Sequence, residues 1–140
     1  MIRFAKMEDE PYIYRLLCEL EGEELDREGF ERTFLEYEKL PGYFCLAAEE
    51  NGSVAGILTL RTGPMLCRAG RIGEIVEFVV DQELRSQGIG HSLFEEARAI
   101  AIQEGCVRLE VSSNKVRTGA HRFYEREGMA QSHYKFVQLL

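Results

Sequence analysis

The stretch from Ile72 to Ile102 constrains the fold most, because an apolar run ending Phe78-Val79-Val80 gives way to a helical pattern through Arg85-Ser86-Gln87-Gly88-Ile89-Gly90. The run reads as a buried strand, interrupted only by Glu74 and Glu77. From Ile89 onward, Leu93, Ala97, Ile100 and Ala101 share one helical face while Glu95, Glu96, Arg98 and Gln103 share the other. Gly105 suits the position just past the helix end. A buried strand feeding an amphipathic helix calls for a layered α/β architecture. At the turn, Gly88 and Gly90 lack a Cβ, so backbone N–H groups can approach an anion closely, and the helix N-terminus adds about half a positive charge. Arg85 can add charge-assisted contacts to phosphate oxygens. The turn therefore predicts a cradle for a diphosphate. It is neither a Walker loop nor a dinucleotide fingerprint, whose spacings are absent.

The rest of the chain supplies a partner for each layer. Ile2 to Ala5 reads as a short strand, and Ile13, Leu16, Leu17 and Leu20 follow helical spacing after Pro11. Phe30, Phe34 and Tyr37 predict a second helix that Pro41-Gly42 stops. Tyr43–Ala48 and Val54–Leu60 read as strands joined through Asn51-Gly52, the dipeptide favoured in a type I′ hairpin turn. Thr62 to Gly70, with Gly63, Pro64 and Gly70, reads as a loop. Val107–Val111 predicts a strand, Gly119–Arg126 a helix closed by Gly128, and Tyr134–Leu140 a terminal strand. The order is β-α-α-β-β-β-α-β-α-β: a central mixed, twisted sheet of about six strands flanked by four helices.

At 140 residues and 45% hydrophobic, the chain suits a single domain spanning 1–140. A net charge of −7 argues against a nucleic-acid surface and suits a cationic or amine-bearing substrate. No apolar run reaches the roughly 18 residues a membrane span needs, so a soluble, cytoplasmic protein is expected. Cys18, Cys45, Cys67 and Cys106 are scattered, without disulfide or zinc spacing, and read as small core hydrophobes. No metal-ligand set is indicated. These residues leave the oligomeric state open, with a homodimer as one expectation.

The Arg85–Gly90 turn resembles the R/Q-x-x-G-x-G/A pyrophosphate loop of the GCN5-related N-acetyltransferase (GNAT) family. The resemblance extends to the element order, to Glu110-Val-Ser-Ser-Asn114, and to Ala120-His-Arg-Phe-Tyr124-Glu-Arg-Glu-Gly128. It implies acetyl-coenzyme A as cosubstrate and acetyl transfer to an amine by direct attack in a ternary complex. It further implies that Arg85, Ser86, Gln87, Gly88, Ile89 and Gly90 hold the diphosphate. Phe78, Val79 and Val80 would present backbone groups to the pantetheine arm and to the thioester oxygen, and Asn114 would contact the pantetheine amide. Asn114 could equally cap the next turn.

Acetyl transfer needs a polarised thioester, a neutral amine and a proton for the departing thiolate. By resemblance, Tyr124 hydrogen-bonds the sulfur and protonates it; its alternative is a core aromatic beside Phe123. Glu74 and Glu77 are both candidates to deprotonate or bind the amine, since carboxylates are unusual in an apolar strand. Their three-residue spacing puts them on opposite faces of a regular strand, unless a bulge intervenes. His121, one turn before Tyr124, is a further candidate base or an exposed helix-start histidine. Lys115, Arg117 and Arg122 could neutralise cofactor phosphates or be solvated charges.

Within the family, Gly73-Glu74-Ile75, Ala120–Tyr124, Arg126-Glu127-Gly128 and Gln131-Ser132-His133 look similar to the aminoalkylphosphonate N-acetyltransferases. That implies a small primary amine with an anionic tail, and a group associated with divalent metal. Met65-Leu66-Cys67-Arg68 stands where a histidine-rich stretch would be expected, so the sequence does not support the metal. An aminoglycoside, a polyamine or a protein amine are alternative acceptors, and a coenzyme A-binding module without turnover is the alternative class.

Overall fold

A computed structural model describes residues 1–140. The chain divides into two compact units, Met1–Glu110 and Val111–Leu140. The first holds strands β1 (Ile2–Phe4), β2 (Tyr43–Glu50), β3 (Ser53–Met65), β4 (Gly70–Val80) and nearly all of β5 (Cys106–Val111), with helices α1 (Glu10–Glu21), α2 (Arg27–Lys39) and α3 (Ile89–Gln103). The five strands form one sheet in the order β1-β2-β3-β4-β5, and β1 to β4 are antiparallel. The helices end where the sequence stops them. Gly22 takes φ +71° behind α1, and the Asp26 carboxylate caps α2 by accepting from the Gly29 N–H at 2.7 Å. Asn51 and Gly52 both take positive φ, as a type I′ turn requires, and set the β2–β3 register.

Directly opposed residues in an antiparallel pair share a face, so the register sorts every side chain. One face carries Ala47, Ile57 and Val79, packed on Ile13, Leu16 and Leu17 of α1 and Phe34 of α2. The other carries Leu58, Leu60 and Ile75, all buried under α3. Each fully buried side chain of this size contributes roughly 1.5–3 kcal/mol. Gly73 packs closely on the α3 face: an added Cβ would stand 3.3 Å from both the Ala101 Cβ and Leu109 Cδ1, a tight contact. Outside the two cores, Arg3 ties β1 to α1 and β2. It donates to Asp9 at 2.7 and 3.0 Å and to Glu49 at 3.0 Å, and this pairing holds the Asp9 carboxyl below its ordinary range.

Three expectations change. The segment 62–70 is not a loop: β3 continues to Met65 and pairs with β4 down to Met65↔Gly70, leaving only a tight turn at 66–68. Beyond Arg61 this arm of β3 is not paired with β2, an edge setting that tolerates the missing N–H of Pro64. The sheet has five strands rather than about six, because Tyr134–Leu140 forms no strand; apolar alternation yields a strand only where backbone groups find a ladder partner. Cys67 is exposed at the 66–68 turn rather than a core residue.

The second unit contains one helix, α4 (Thr118–Arg126), which Gly128 closes at φ +90°. Phe123 and Tyr124 meet edge to face at 5.7 Å in α4, and the Arg126 guanidinium lies over the Phe123 ring. Residues 129–140 have no regular structure.

Candidate active site

The β3–β4 pairing slips once. Leu58 opposes Phe78 and Leu60 opposes Ile75, so β4 uses one more residue than β3 over this span. The extra residue is a bulge within Ile75–Phe78, and it reverses the alternation of β4. Before it, Glu74 sits in the row Tyr43–Arg61–Glu74; after it, Glu77 sits opposite Thr59 in the next row of the same face, Cys45–Thr59–Glu77. The bulge thus brings onto one face, that of α2, two carboxylates that a regular strand would place on opposite faces.

Their surroundings differ. Glu74 is committed to Arg61, whose Nε donates at 2.8 Å and whose Nη2 donates to the same oxygen. This raises the Arg61 guanidinium above its usual range. Glu77 instead meets two hydroxyls. Thr59 accepts the Glu77 N–H at 2.9 Å, which aims its own proton at Glu77 Oε1, and the Tyr37 phenol donates to the same oxygen at 3.2 Å. Oε1 is doubly bonded, and Oε2 is left without a donor. Burial and then the Glu77 charge push the Tyr37 phenol above its ordinary value, and burial pushes the Cys45 thiol up to about 12. Tyr37 also meets Tyr43 edge to face at 5.3 Å. Beside Tyr37 opens a cavity of about 360 Å³ lined by Phe4, Phe34, Glu38, Tyr43 and Cys45.

Beyond the bulge, Phe78, Val79 and Val80 pair with Leu58, Ile57 and Gly56 of β3. In the turn that follows, Arg85, Ser86, Gln87 and Gly88 are exposed, and Ile89 is buried and anchors it. Ser86 takes φ +66°, and Gly88, at φ +83°, occupies the N-cap of α3. No side chain caps this helix, and no acidic residue stands in its first turn to oppose an anion there. Arg85 folds back to donate to the Val80 carbonyl at 3.2 Å. That bond occupies one of the backbone groups expected to serve the pantetheine arm, while the arginine stays exposed beside Ser86 and Gln87.

In the second unit, Asn114 caps a turn: its Oδ1 accepts from Val116 N at 3.1 Å. His121 Nε2 lies 2.9 Å from the Asn114 carbonyl, and because a carbonyl only accepts, Nε2 is the donor in this contact. Burial pushes the Tyr124 phenol up to about 12, opposed by the charge of Arg117. Lys115 and Arg122 are exposed. Tyr37, Thr59 and Arg61 were not among the sequence candidates. A usable signal for Thr59 was a hydroxyl within the otherwise apolar run Val54–Leu60, the same anomaly that marked Glu77.

The acetyltransferase (GNAT) family model matches residues 10–129, and the chain belongs to that family. It is an N-acetyltransferase that takes its acetyl group from acetyl-coenzyme A and transfers it to an amine. It is similar to an aminoalkylphosphonate N-acetyltransferase from Salmonella typhimurium strain LT2, 40% identical over 139 residues that cover 99% of this chain and 90% of that protein. In fold it is similar to the crystal structure of a transcriptional regulator from Bacillus halodurans C-125, with TM-score 0.93, 24% identity and coverage of 100% and 99%. A glucosamine-6-phosphate N-acetyltransferase from Arabidopsis thaliana shares the fold at TM-score 0.84 and 22% identity, over 99% of this chain and 97% of that one.

Proposed function

We propose that the chain acts from 1 to 140 as a single domain acetylating a small primary amine, with Glu77 as the base, Tyr124 as the general acid and the Arg85–Gly90 turn as the diphosphate cradle. The observation carrying the choice of base is the asymmetry of Glu77: Thr59 and Tyr37 hold Oε1, and Oε2 remains open to a proton. Glu74 is already paired with Arg61, and His121 already donates to a backbone carbonyl. Glu77 takes a proton from the bound ammonium and releases it to solvent. The neutral nitrogen attacks the thioester carbon, and a backbone N–H among Phe78, Val79 and Val80 stabilises the oxyanion. As the C–S bond breaks, the nitrogen passes its second proton to the Glu77 carboxylate and Tyr124 protonates the thiolate, giving the acetylated amine and free coenzyme A.

The cavity beside Tyr37 supplies room for the acceptor, and Glu38, which lines it, and Glu77, bonded to Tyr37, favour its cationic end. Arg61, half-exposed on the same face, offers a cation to an anionic tail, which together with the 40% identical relative supports an aminoalkylphosphonate acceptor. A polyamine or aminoglycoside is the second reading, favoured by Glu38 and the net charge of −7. Thiol release from acetyl-coenzyme A across aminoalkylphosphonates, polyamines, aminoglycosides and peptides tests this. Aminoalkylphosphonates should give the highest kcat/KM, and preference for an amine without an anionic tail would overturn that acceptor assignment. Four free thiols and a cytosolic thioester cosubstrate support a cytoplasmic location.

A further inference from the structure

At the β4 bulge the ladder loses a rung, and a side chain stands in for it. Thr59 pairs with Cys45 of β2, but the β3–β4 register passes from Leu58↔Phe78 to Leu60↔Ile75 and leaves Thr59 without a ladder partner on β4. The Glu77 N–H lies at that gap, where the Thr59 hydroxyl accepts it at 2.9 Å. A hydroxyl has one proton to give, and with this lone pair taken the Thr59 proton turns to Glu77 Oε1. Thr59 therefore holds a single residue at two points, its backbone and its carboxylate. At 5% exposure it is shielded from water, which strengthens both bonds. From α2 the Tyr37 phenol reaches the same Oε1 at 3.2 Å. Burial and then the Glu77 charge hold that phenol above its ordinary range, so it keeps its proton and stays a donor.

We propose that Thr59, seconded by Tyr37, is the positioning residue of the reaction: its hydroxyl closes the bulge at the Glu77 N–H and turns the Glu77 carboxylate so that Oε2 meets the acceptor amine. The inference rests on the reading of Glu77 as the base and adds how a strand irregularity becomes a fixed base. Threonine suits the task, because its branched Cβ stiffens χ1 and belongs in a strand. A residue without the hydroxyl would orphan the Glu77 N–H and let the carboxylate swivel. Misplacing a reacting group by about 1 Å can cost on the order of 10²-fold in rate. Thr59 is not among the side chains lining the cavity beside Tyr37, so its loss should register in kcat rather than in the KM of the amine.

Steady-state kinetics of the full chain test this, with acetyl-coenzyme A and whichever of the aminoalkylphosphonates, polyamines, aminoglycosides and peptides the wild-type enzyme acetylates fastest. Thr59→Val keeps the shape and strips the hydroxyl, so kcat should fall at least about thirtyfold while the KM of the amine stays within about threefold. Thr59→Ser returns the hydroxyl and should recover kcat to within about fivefold of wild type. Added to Glu77→Gln, Thr59→Val should lower kcat by less than about twofold more, because nothing is left to position. An undiminished kcat in Thr59→Val, a Thr59→Ser enzyme no better than Thr59→Val, or losses that multiply in the double variant would each overturn the positioning role and leave Glu77 as the base. Normal turnover by Glu77→Gln would overturn the base assignment and this inference with it. Should Thr59→Val not fold, Tyr37→Phe, which breaks no backbone bond, enters the same cycle. A several-fold loss alone and none beside Glu77→Gln is then expected, and equal losses in both backgrounds overturn the proposal.

Discussion

The two faces of the sheet are made by the same three strands and have opposite chemistry. On the α3 side, Leu58, Leu60 and Ile75 exclude water completely and carry no polar atom. On the α2 side, the rows Tyr43–Arg61–Glu74 and Cys45–Thr59–Glu77 place carboxylates, hydroxyls and a guanidinium beside a cavity. The polar face is tolerated because its groups answer one another: Arg61 pairs with Glu74, and Thr59 and Tyr37 share Glu77. One face holds the protein together, and the other is free to hold a reaction.

The largest expected effect that would break this division is on the polar face. Glu77→Gln keeps the shape but removes the proton acceptor, so kcat should fall about 10²–10³-fold with little change in melting temperature. Retained turnover would remove the base from this face. Next, Leu60→Ala on the apolar face should cost about 3 kcal/mol in urea unfolding while the folded enzyme keeps kcat within about threefold. A large loss of kcat would mean that the faces are not independent. Smallest is Tyr124→Phe, with kcat lowered roughly tenfold. Because the phenol is pushed up to about 12, it keeps its proton through neutral and mildly alkaline pH. The ratio of wild-type to variant kcat should therefore stay flat from about pH 6 to pH 10; a ratio falling toward one above about pH 9 would overturn the raised phenol, and a ratio of one across the whole range would take the acid role from Tyr124.

Elements with strong local signals were legible in the sequence. The helical stripe of α3, the Asn51-Gly52 turn and the glycines at the α3 start all depend on nearest neighbours, and each lies where the pattern predicted. The extended arm of β3 was hidden because Gly63 and Pro64 are turn residues locally and strand residues only opposite Ile72 and Arg71. Tyr134–Leu140 misled in the reverse sense, with strand composition and no ladder. At the site, Glu74 and Glu77 stood out as acids in an apolar run. The residue that orients Glu77 from α2, Tyr37, is 40 positions away in sequence and read only as part of a helical stripe. Pairings of that span come from the sheet register and helix packing, which no local window contains.

The bulge in β4 works like a shift of reading frame. Upstream of it, residues counted in twos from Gly73 look toward α3; downstream, the same count looks toward α1 and α2, as Val79 does. Deleting one residue between Ile75 and Phe78 would therefore do more than shorten a strand. It would put Glu77 among the leucines under α3, or slide Phe78, Val79 and Val80 out of step with the turn they lead into. Any alignment, graft or chimera of such chains must place its gap or its seam at these residues, because elsewhere it would exchange the inside of one layer for the inside of the other.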